Sequence, residues 1–202
     1  APGTYHHSVM VANLADAACE SIGANGLLAR VGSYYHDVGK TKRPNFFIEN
    51  QMNMENPHDK IAPQLSKTII VAHPYDGADM LRKHHLPKEI IDIAEQHHGT
   101  MLLKFFYHKA SAASAKEIPE TDFRYPGPKA QTKEAAIVGI CDGVEAAVRS
   151  MAKPNPNKIQ ALVRKIINER LEDGQFDESD LTLKELDTVA KTICETLQGI
   201  FH

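Results

Sequence analysis

Apolar residues along most of the chain recur every three or four positions, and no stretch alternates apolar and polar residues as a β-strand does. The pattern therefore predicts a protein built from helices. Their expected ranges, in chain order, are 4–22, 27–35, 68–73, 89–98, 100–115, 135–151, 156–172 and 182–200.

Polar residues stand where three of these helices need an N-terminal cap, namely Thr4, Ser66 and Thr132. Pro74 is expected to interrupt the helix that Ser66 begins, or to start a second segment, because proline has no N–H to donate along a helix. The segments Thr41–Pro63 and Lys116–Gln131 lack periodicity and predict two long loops. Long loops inside compact domains are usually functional.

The predicted fold class is all-α, a helical bundle with long functional loops and extra C-terminal helices. At 202 residues the chain suits a single domain, 1–202. We expect residues 1–151 to form the core that carries the chemistry and residues 152–202 to form the closing helices.

Composition limits the possible functions. The formal net charge of −3, without runs of Lys or Arg, argues against a nucleic-acid polymer as partner. No apolar run approaches the roughly 20 residues that span a bilayer. The cysteines Cys19, Cys141 and Cys194 are far apart, so buried thiols in a reducing compartment are expected. The start of the chain, Ala1-Pro2-Gly3-Thr4, leads at once into helical sequence, as expected of a domain cut from a longer protein.

The chain contains eleven histidines, and histidine is the commonest metal ligand among side chains. The candidate ligands lie on or at the ends of five predicted helical segments, and helical bundles build metal sites from facing helices. Seven such ligands are too many for one ion but suit two divalent ions that share a carboxylate, and imidazole with carboxylate suits Fe, Mn or catalytic Zn. The candidates are His7, His36, Asp37, His73, His97, His98 and Asp142.

The stretch from Tyr34 to Lys40 places a histidine, an aspartate and a lysine within about one helical turn. Asp37 can bridge two ions that hold a hydroxide between them, and Lys40 can meet a phosphate oxygen, so both are predicted to be catalytic. The alternative is an ordinary helix end, in which His36 and Lys40 favour the helix dipole.

Each histidine ligand also has a simpler interpretation as a surface, core or helix-end residue. Asp142 lies in an apolar helix, where a buried carboxylate is costly unless it is paired or coordinated. Glu145 and Arg149 could form a solvated face or a local ion pair. The remaining histidines are assigned to the surface or the core, namely His6, His84, His85, His108 and His202.

Substrate contacts are predicted from residues in or near the two loops and the predicted site. Aromatic side chains there could stack on bases, or they could only pin the loops to the core. The candidates are Lys40, His58, Thr100, Tyr125 and Arg149.

In the order His7, His36-Asp37 and Asp142, the sequence resembles the HD superfamily of metal-dependent phosphohydrolases. It looks most like the catalytic domain of the seven-transmembrane HD proteins, bacterial membrane phosphodiesterases that hydrolyse cyclic di-AMP. The resemblance covers the chain up to about Met151. It rests on the segments 3–8, 36–40, 56–59, 97–100 and 123–128.

The resemblance implies one ion held by His7, His36, Asp37 and Asp142, and a second held by Asp37, His73, His97 and His98. It also implies a cytoplasmic domain of a bacterial protein whose transmembrane region is absent from this chain. His97-His98 is followed by Gly99-Thr100, so the Gly-Tyr-Pro element of HD-type cyclic di-GMP phosphodiesterases is missing. This disfavours cyclic di-GMP as the substrate.

The leading hypothesis is therefore a two-metal phosphodiesterase, with Fe or Mn, that opens the small cyclic dinucleotide cyclic di-AMP to linear pApA. The alternatives are an HD-type (p)ppGpp or nucleotide phosphohydrolase and an HD domain that senses a nucleotide without hydrolysing it. A helical metal store or oxygenase, which would favour Glu-x-x-His ligand pairs from facing helices, is the least favoured alternative. The choice between Fe and Mn and the oligomeric state stay open.

Overall fold

A computed structural model describes residues 1–200 of the chain, so His202 lies outside the described residues. Within that range the protein is helical, as predicted, with one isolated β-bridge and no β-strand. The helices are α1 (Pro2–Ser21), α2 (Gly26–Tyr35), α3 (Pro63–Lys83), α4 (Lys88–Gln96), α5 (Lys104–Ala113), α6 (Lys133–Arg149), α7 (Pro156–Glu172) and α8 (Leu183–Ile200).

The predicted cap at Thr4 is wrong. Helix α1 begins two residues earlier, with Pro2 in its first turn, where a proline costs no hydrogen bond. Thr4 is buried inside the helix, where its backbone N–H donates to Asn50 Oδ1 at 3.1 Å. Its hydroxyl donates to Glu49 Oε1 at 3.2 Å, so Thr4 ties α1 to the following loop.

The predicted break at Pro74 is also wrong, because α3 runs without interruption from Pro63 to Lys83. Pro74 cannot donate to the carbonyl of Ile70, four residues earlier. That carbonyl instead lies 2.6 Å from His73 Nδ1, which replaces the missing donor. Ser66 lies inside the helix rather than at its cap, and its hydroxyl is hydrogen-bonded to His58.

Helix α5 begins at Lys104, four residues later than predicted. The residues before it pair with the second loop: Leu103 N donates to Phe123 O at 2.8 Å, and Tyr125 N donates to Met101 O at 3.0 Å. These two bonds flank the isolated bridge between Leu102 and Arg124. After a turn at Gly99, residues 101–103 are therefore extended, and they hold Tyr125 beside the end of α4.

The other predicted elements agree closely with the structure. Thr132 caps α6 by accepting a hydrogen bond from Ala135 N at 3.1 Å. Helix α7 has the predicted bounds, and α8 begins one residue after the predicted start. Apart from Pro63, the first residue of α3, the two predicted loops contain short 3₁₀ turns and irregular chain.

Helix α6 is the centre of the packing, with a nearly continuous run of buried residues from Ala135 to Val144. The largest hydrophobic cluster joins it to side chains of α1, α2, α4, α7 and α8, so the closing helices share a core with the first half of the chain. A smaller cluster lies mainly between α3 and α4. Within residues 1–200, no helix combines the length and the apolar character needed to cross a membrane.

Candidate metal centre

Asp37 lies at the middle of a largely buried cluster of imidazoles. It follows the end of α2 and has no exposed surface. Its Oδ1 lies 3.4 Å from His73 Nε2 and 3.3 Å from His97 Nε2. Its Oδ2 lies 3.4 Å from His7 Nε2 and 3.3 Å from His36 Nε2. Each carboxylate oxygen therefore faces a different pair of histidines.

The seven predicted ligands form two groups that share Asp37. Within each group, one ligand atom from every residue lies within 4.8 Å of the others. The first is called here the His7 group, and it consists of His7, His36, Asp37 and Asp142. The second is called the His73 group, and it consists of Asp37, His73, His97 and His98.

Three of the imidazoles are oriented by the same kind of hydrogen bond to the main chain. Their Nδ1 atoms lie 2.6–2.7 Å from the main-chain carbonyl oxygen three residues earlier. His36 and His97 stand at helix C-termini, where carbonyls lack helix partners, and Pro74 frees the carbonyl that His73 uses. A proton on Nδ1 leaves the Nε2 lone pair directed at the centre.

His7 is held differently, because it lies within α1. Its Nε2 is 2.7 Å from Asp142 Oδ1, and its Nδ1 is hydrogen-bonded to Glu145 Oε1. Asp142 and Glu145 are three residues apart on α6 and so project from one face of that helix. The imidazole of His7 therefore lies between two carboxylates. Asp142 Oδ1 is also 3.1 Å from His36 Nε2.

The surroundings shift the pKa values of the histidines in opposite directions in the two groups. Burial lowers the pKa of His7, but hydrogen bonds to Asp142 and Glu145 outweigh it and raise the pKa to about 10. Burial lowers the pKa of His73 and His98 below the ordinary histidine value. Burial alone would raise the pKa of Asp37, but electrostatic interactions with His36 and Lys40 hold it well below its usual range.

The centre fits divalent cations. Both Asp37 oxygens and the Nε2 atoms of His73 and His97 are buried without a hydrogen-bond partner among the described residues. Such orphaned atoms are rare in folded proteins and costly unless an ion or water satisfies them. All converge on one another, and the donors are imidazole nitrogens and carboxylate oxygens without thiolate. The cluster is therefore able to hold metal ions.

Lys40 stands at the edge of this centre. Its Nζ donates to Glu49 Oε1 at 2.7 Å and lies 3.0 Å from Asp37 Oδ2. It also lies 5.0 Å from the centroid of the Phe47 ring. Burial lowers the pKa of Lys40, but Asp37 and Glu49 outweigh that effect and raise it, so the ammonium keeps its charge.

A cavity of about 490 Å³ opens onto the centre, within the size range of small-molecule sites. Its walls include Lys40, His58, Tyr125 and Arg149, four of the five predicted substrate contacts. Thr100 is not among the residues that line it. Gly99 has φ +51°, which turns the chain after His98, and the Thr100 hydroxyl accepts a hydrogen bond from Gln175 instead.

Not all four lining residues have free polar atoms. His58 bonds Ser66 Oγ through Nδ1 and the Phe46 carbonyl through Nε2, so both ring nitrogens are used to hold the loop. Tyr125 is buried and stacks on the His98 ring at 4.5 Å with an interplanar angle of 11°. The Arg149 side chain is 36% exposed, with Nε 3.4 Å from Glu145 Oε2.

Two residues of the centre escaped the sequence analysis. Glu145 was interpreted as a solvated face or a local ion pair, yet it is 8% exposed and bonded to His7. Its position three residues after Asp142 was the available signal. Glu49 had no signal, because its bond to Lys40 depends on the path of the loop. The histidines His6, His84, His85 and His108 are exposed.

Comparison with known proteins agrees with this geometry. The HD domain family model matches residues 4–147. The chain is 70% identical over 201 residues to the cyclic-di-AMP phosphodiesterase PgpH of Bacillus subtilis, covering 100% of this chain and 28% of that protein. It thus spans little more than a quarter of the length of that relative.

Solved structures show the same fold. The HD domain of the Listeria monocytogenes phosphodiesterase PgpH, in complex with cyclic-di-AMP, matches with a TM-score of 0.96 and 54% identity, covering 100% of this chain and 93% of that one. Bd1817, an HDGYP protein of Bdellovibrio bacteriovorus, matches with a TM-score of 0.53 and 19% identity, over 97% of this chain and 53% of that one. The second likeness concerns the fold alone.

Proposed function

The chain belongs to the HD domain family, and on that premise we propose that it is a two-metal phosphodiesterase that hydrolyses cyclic di-AMP to linear pApA. The observation that carries the proposal is the pair of ligand groups sharing Asp37 beneath an open cavity. The Bacillus and Listeria relatives support the substrate, because both are named for cyclic di-AMP and one was crystallised with it.

In this proposal the His7 group would hold one divalent ion and the His73 group the other. When bound, two such ions supply an activated water and neutralise charge on the phosphoryl oxygens. Asp37 contributes one oxygen to each group, and Fe or Mn suits this donor set. The Nδ1 hydrogen bonds of His36, His73 and His97 keep the three imidazoles in the tautomer that can coordinate.

Lys40 is proposed to stabilise the phosphate during hydrolysis. An ammonium group has three N–H donors, and one of them is bonded to Glu49. The charge of Lys40 faces the cavity beside Asp37, where a phosphoryl oxygen bound to the ions would lie. A fixed positive charge there favours the transition state, in which negative charge on the oxygens grows.

The cavity walls give the remaining substrate contacts. Tyr125 presents a ring already stacked on His98, and Arg149 presents a partly exposed guanidinium suited to a phosphate. His58 supplies ring surface only, since both of its nitrogens are engaged. Thr100 lies against Gln175 outside the cavity walls, so nothing in the structure supports the predicted contact.

The wider setting is proposed from the resemblance to the seven-transmembrane HD proteins. We propose that residues 1–202 act as one domain of a longer bacterial membrane protein, on its cytoplasmic side. The core shared by α1, α6, α7 and α8 supports the single domain. The membrane placement rests on the family resemblance alone.

Hydrolysis assays test the proposal directly. The purified domain is loaded with Mn(II) or Fe(II), offered cyclic di-AMP and cyclic di-GMP in parallel, and the products are separated by chromatography. Linear pApA should form faster than the guanine product, and Asp37→Ala should form neither. Binding of cyclic di-AMP without turnover under either metal would indicate a sensor, and hydrolysis of (p)ppGpp alone would indicate a different phosphohydrolase.

A further inference from the structure

Glu145 is buried next to the metal centre, but it belongs to neither ligand group and does not line the cavity. Its carboxylate accepts the Nδ1–H of His7 across 138 residues of sequence. The other oxygen lies 3.4 Å from Arg149 Nε, one turn further along α6. A carboxylate in this position does not touch substrate, so its contact with His7 calls for a separate account.

The way the other imidazoles are held shows why His7 needs a partner. His36, His73 and His97 each bond a carbonyl of their own helix, at a C-terminus or beside Pro74. His7 lies in the second turn of α1, where the carbonyls of the preceding turn already accept helix hydrogen bonds. Only a group from another helix can fix its ring.

We propose that Glu145 is the positioning residue for His7, an assignment that rests on the two-metal function proposed above. By accepting the Nδ1–H, the Glu145 carboxylate holds the ring so that Nε2 faces the space shared with His36, Asp37 and Asp142. A carboxylate behind a ligating histidine also raises the basicity of the ring. The effect should fall on the His7 group, because among the described residues the hydrogen bonds and ion pairs of His7 and Glu145 reach no member of the His73 group other than the shared Asp37.

The charge around the centre strengthens this inference. The His7 group contains two carboxylates, and Glu145 adds a third negative charge behind it. Arg149 partly offsets that charge from the side facing the cavity. Glu145 therefore increases the attraction of the His7 group for a cation without occupying a coordination position.

The test is a Mn(II) titration of the full 202-residue chain, followed by electron paramagnetic resonance. Variants Glu145→Gln and Glu145→Ala are compared with the control Glu134→Gln. Glu134 lies in the first turn of the same helix, α6, and its carboxylate accepts a hydrogen bond from Asn25 N just before α2. We expect affinity for one of two ions to fall about 10–100-fold in Glu145→Ala, less in Glu145→Gln, and not in Glu134→Gln. The coupled two-ion signal should give way to a single-ion signal and return at excess Mn(II).

The glutamine variant keeps the size and the acceptor oxygen, so it separates loss of charge from loss of the fold. Thermal unfolding of the metal-free variants checks that each one is folded. If wild type binds two ions and Glu145→Ala binds both with unchanged affinity, the inference is overturned while the two-metal function stands. Equal weakening of both ions would also overturn it. A wild-type chain that binds fewer than two ions would overturn both.

Discussion

The two ligand groups share one carboxylate, yet they are built on opposite electrostatic principles. The His7 group pairs each imidazole with a carboxylate, Asp142 at 2.7 Å from His7 and 3.1 Å from His36. The His73 group has three imidazoles around Asp37, and two of their Nε2 atoms have no hydrogen-bond partner. The first group is internally paired before any ion binds, whereas the second is not.

This difference shows what a bound cation must overcome in each place. In the His7 group an ion must replace hydrogen bonds and a proton, but it gains two full negative charges. In the His73 group an ion would meet the Nε2 atoms of His73 and His97, which have no competing hydrogen-bond partner. Selective affinity therefore follows from how the ligands are held as well as from which ligands are present.

The largest test removes the residue that the two groups share. Asp37→Asn keeps the shape of the side chain but removes the charge that faces all four neighbouring imidazoles. We expect loss of both ions after dialysis and a fall in turnover of about a thousandfold or more, since bound ions supply several kcal/mol of transition-state stabilisation. Metal analysis by mass spectrometry and a cyclic di-AMP assay measure the two effects. Two retained ions with normal turnover would contradict the bridging role.

A matched pair of substitutions separates the groups. Asp142→Asn should weaken only the ion of the His7 group, and His97→Gln only the ion of the His73 group. Each loss should exceed about a hundredfold, because removing a partner behind a ligand already costs about 10–100-fold. Mn(II) titration with electron paramagnetic resonance distinguishes one remaining ion from two. If either substitution abolished both ions, the two groups would be a single cooperative unit.

A smaller effect is expected from pH. Hydrogen bonds to Asp142 and Glu145 outweigh burial and raise the pKa of His7 to about 10, so an ion must displace its proton through the neutral range. Burial lowers the pKa of His73 and His98, which are therefore already neutral. Affinity of the His7 group should rise about tenfold per pH unit between about pH 6 and 9. The metal affinity of the His73 group should change little over the same pH range. If metal titrations gave both groups the same dependence of affinity on pH, the electrostatic difference between them would be contradicted.

The candidate ligands could be chosen from the sequence because residue type and helix position carried the information. His36 and His97 stand where helices end, and Asp142 is a carboxylate within an otherwise apolar stretch of helix. Each could therefore be recognised from its neighbours in the sequence. Glu145 was not, because its role depends on a contact with His7 across 138 residues. Chain order says nothing about which faces of α1 and α6 meet.

Local rules also failed where tertiary contacts changed the balance. Pro74 was expected to break α3, but the neighbouring His73 supplies the missing donor to Ile70. Thr4 was expected to cap α1, but its hydroxyl serves Glu49 instead. Thr100 stands two residues after the ligand pair, beyond Gly99 with its positive φ, and it bonds Gln175 instead of lining the cavity.

The smallest expected effect comes from a histidine outside both groups. His85 is exposed and has φ +57°, a left-handed conformation that costs a non-glycine residue about 1–2 kcal/mol. His85→Gly should remove that strain, partly offset by the greater freedom of glycine in the unfolded chain, and stabilise the fold by about 0.5–1 kcal/mol. The melting temperature should rise by about 1–4 °C.

Metal content and turnover of His85→Gly should equal those of the wild type, because the side chain contacts neither group. The variant therefore distinguishes His85, which should affect stability only through its backbone conformation, from the five histidines that face the centre. A melting temperature that rose without any change in Mn(II) stoichiometry would agree with this division. A lost ion would mean that His85 belongs to one of the two groups and that the composition given for that group is wrong. The His73 group would be the first to examine, because His85 lies just after α3, the helix that carries His73.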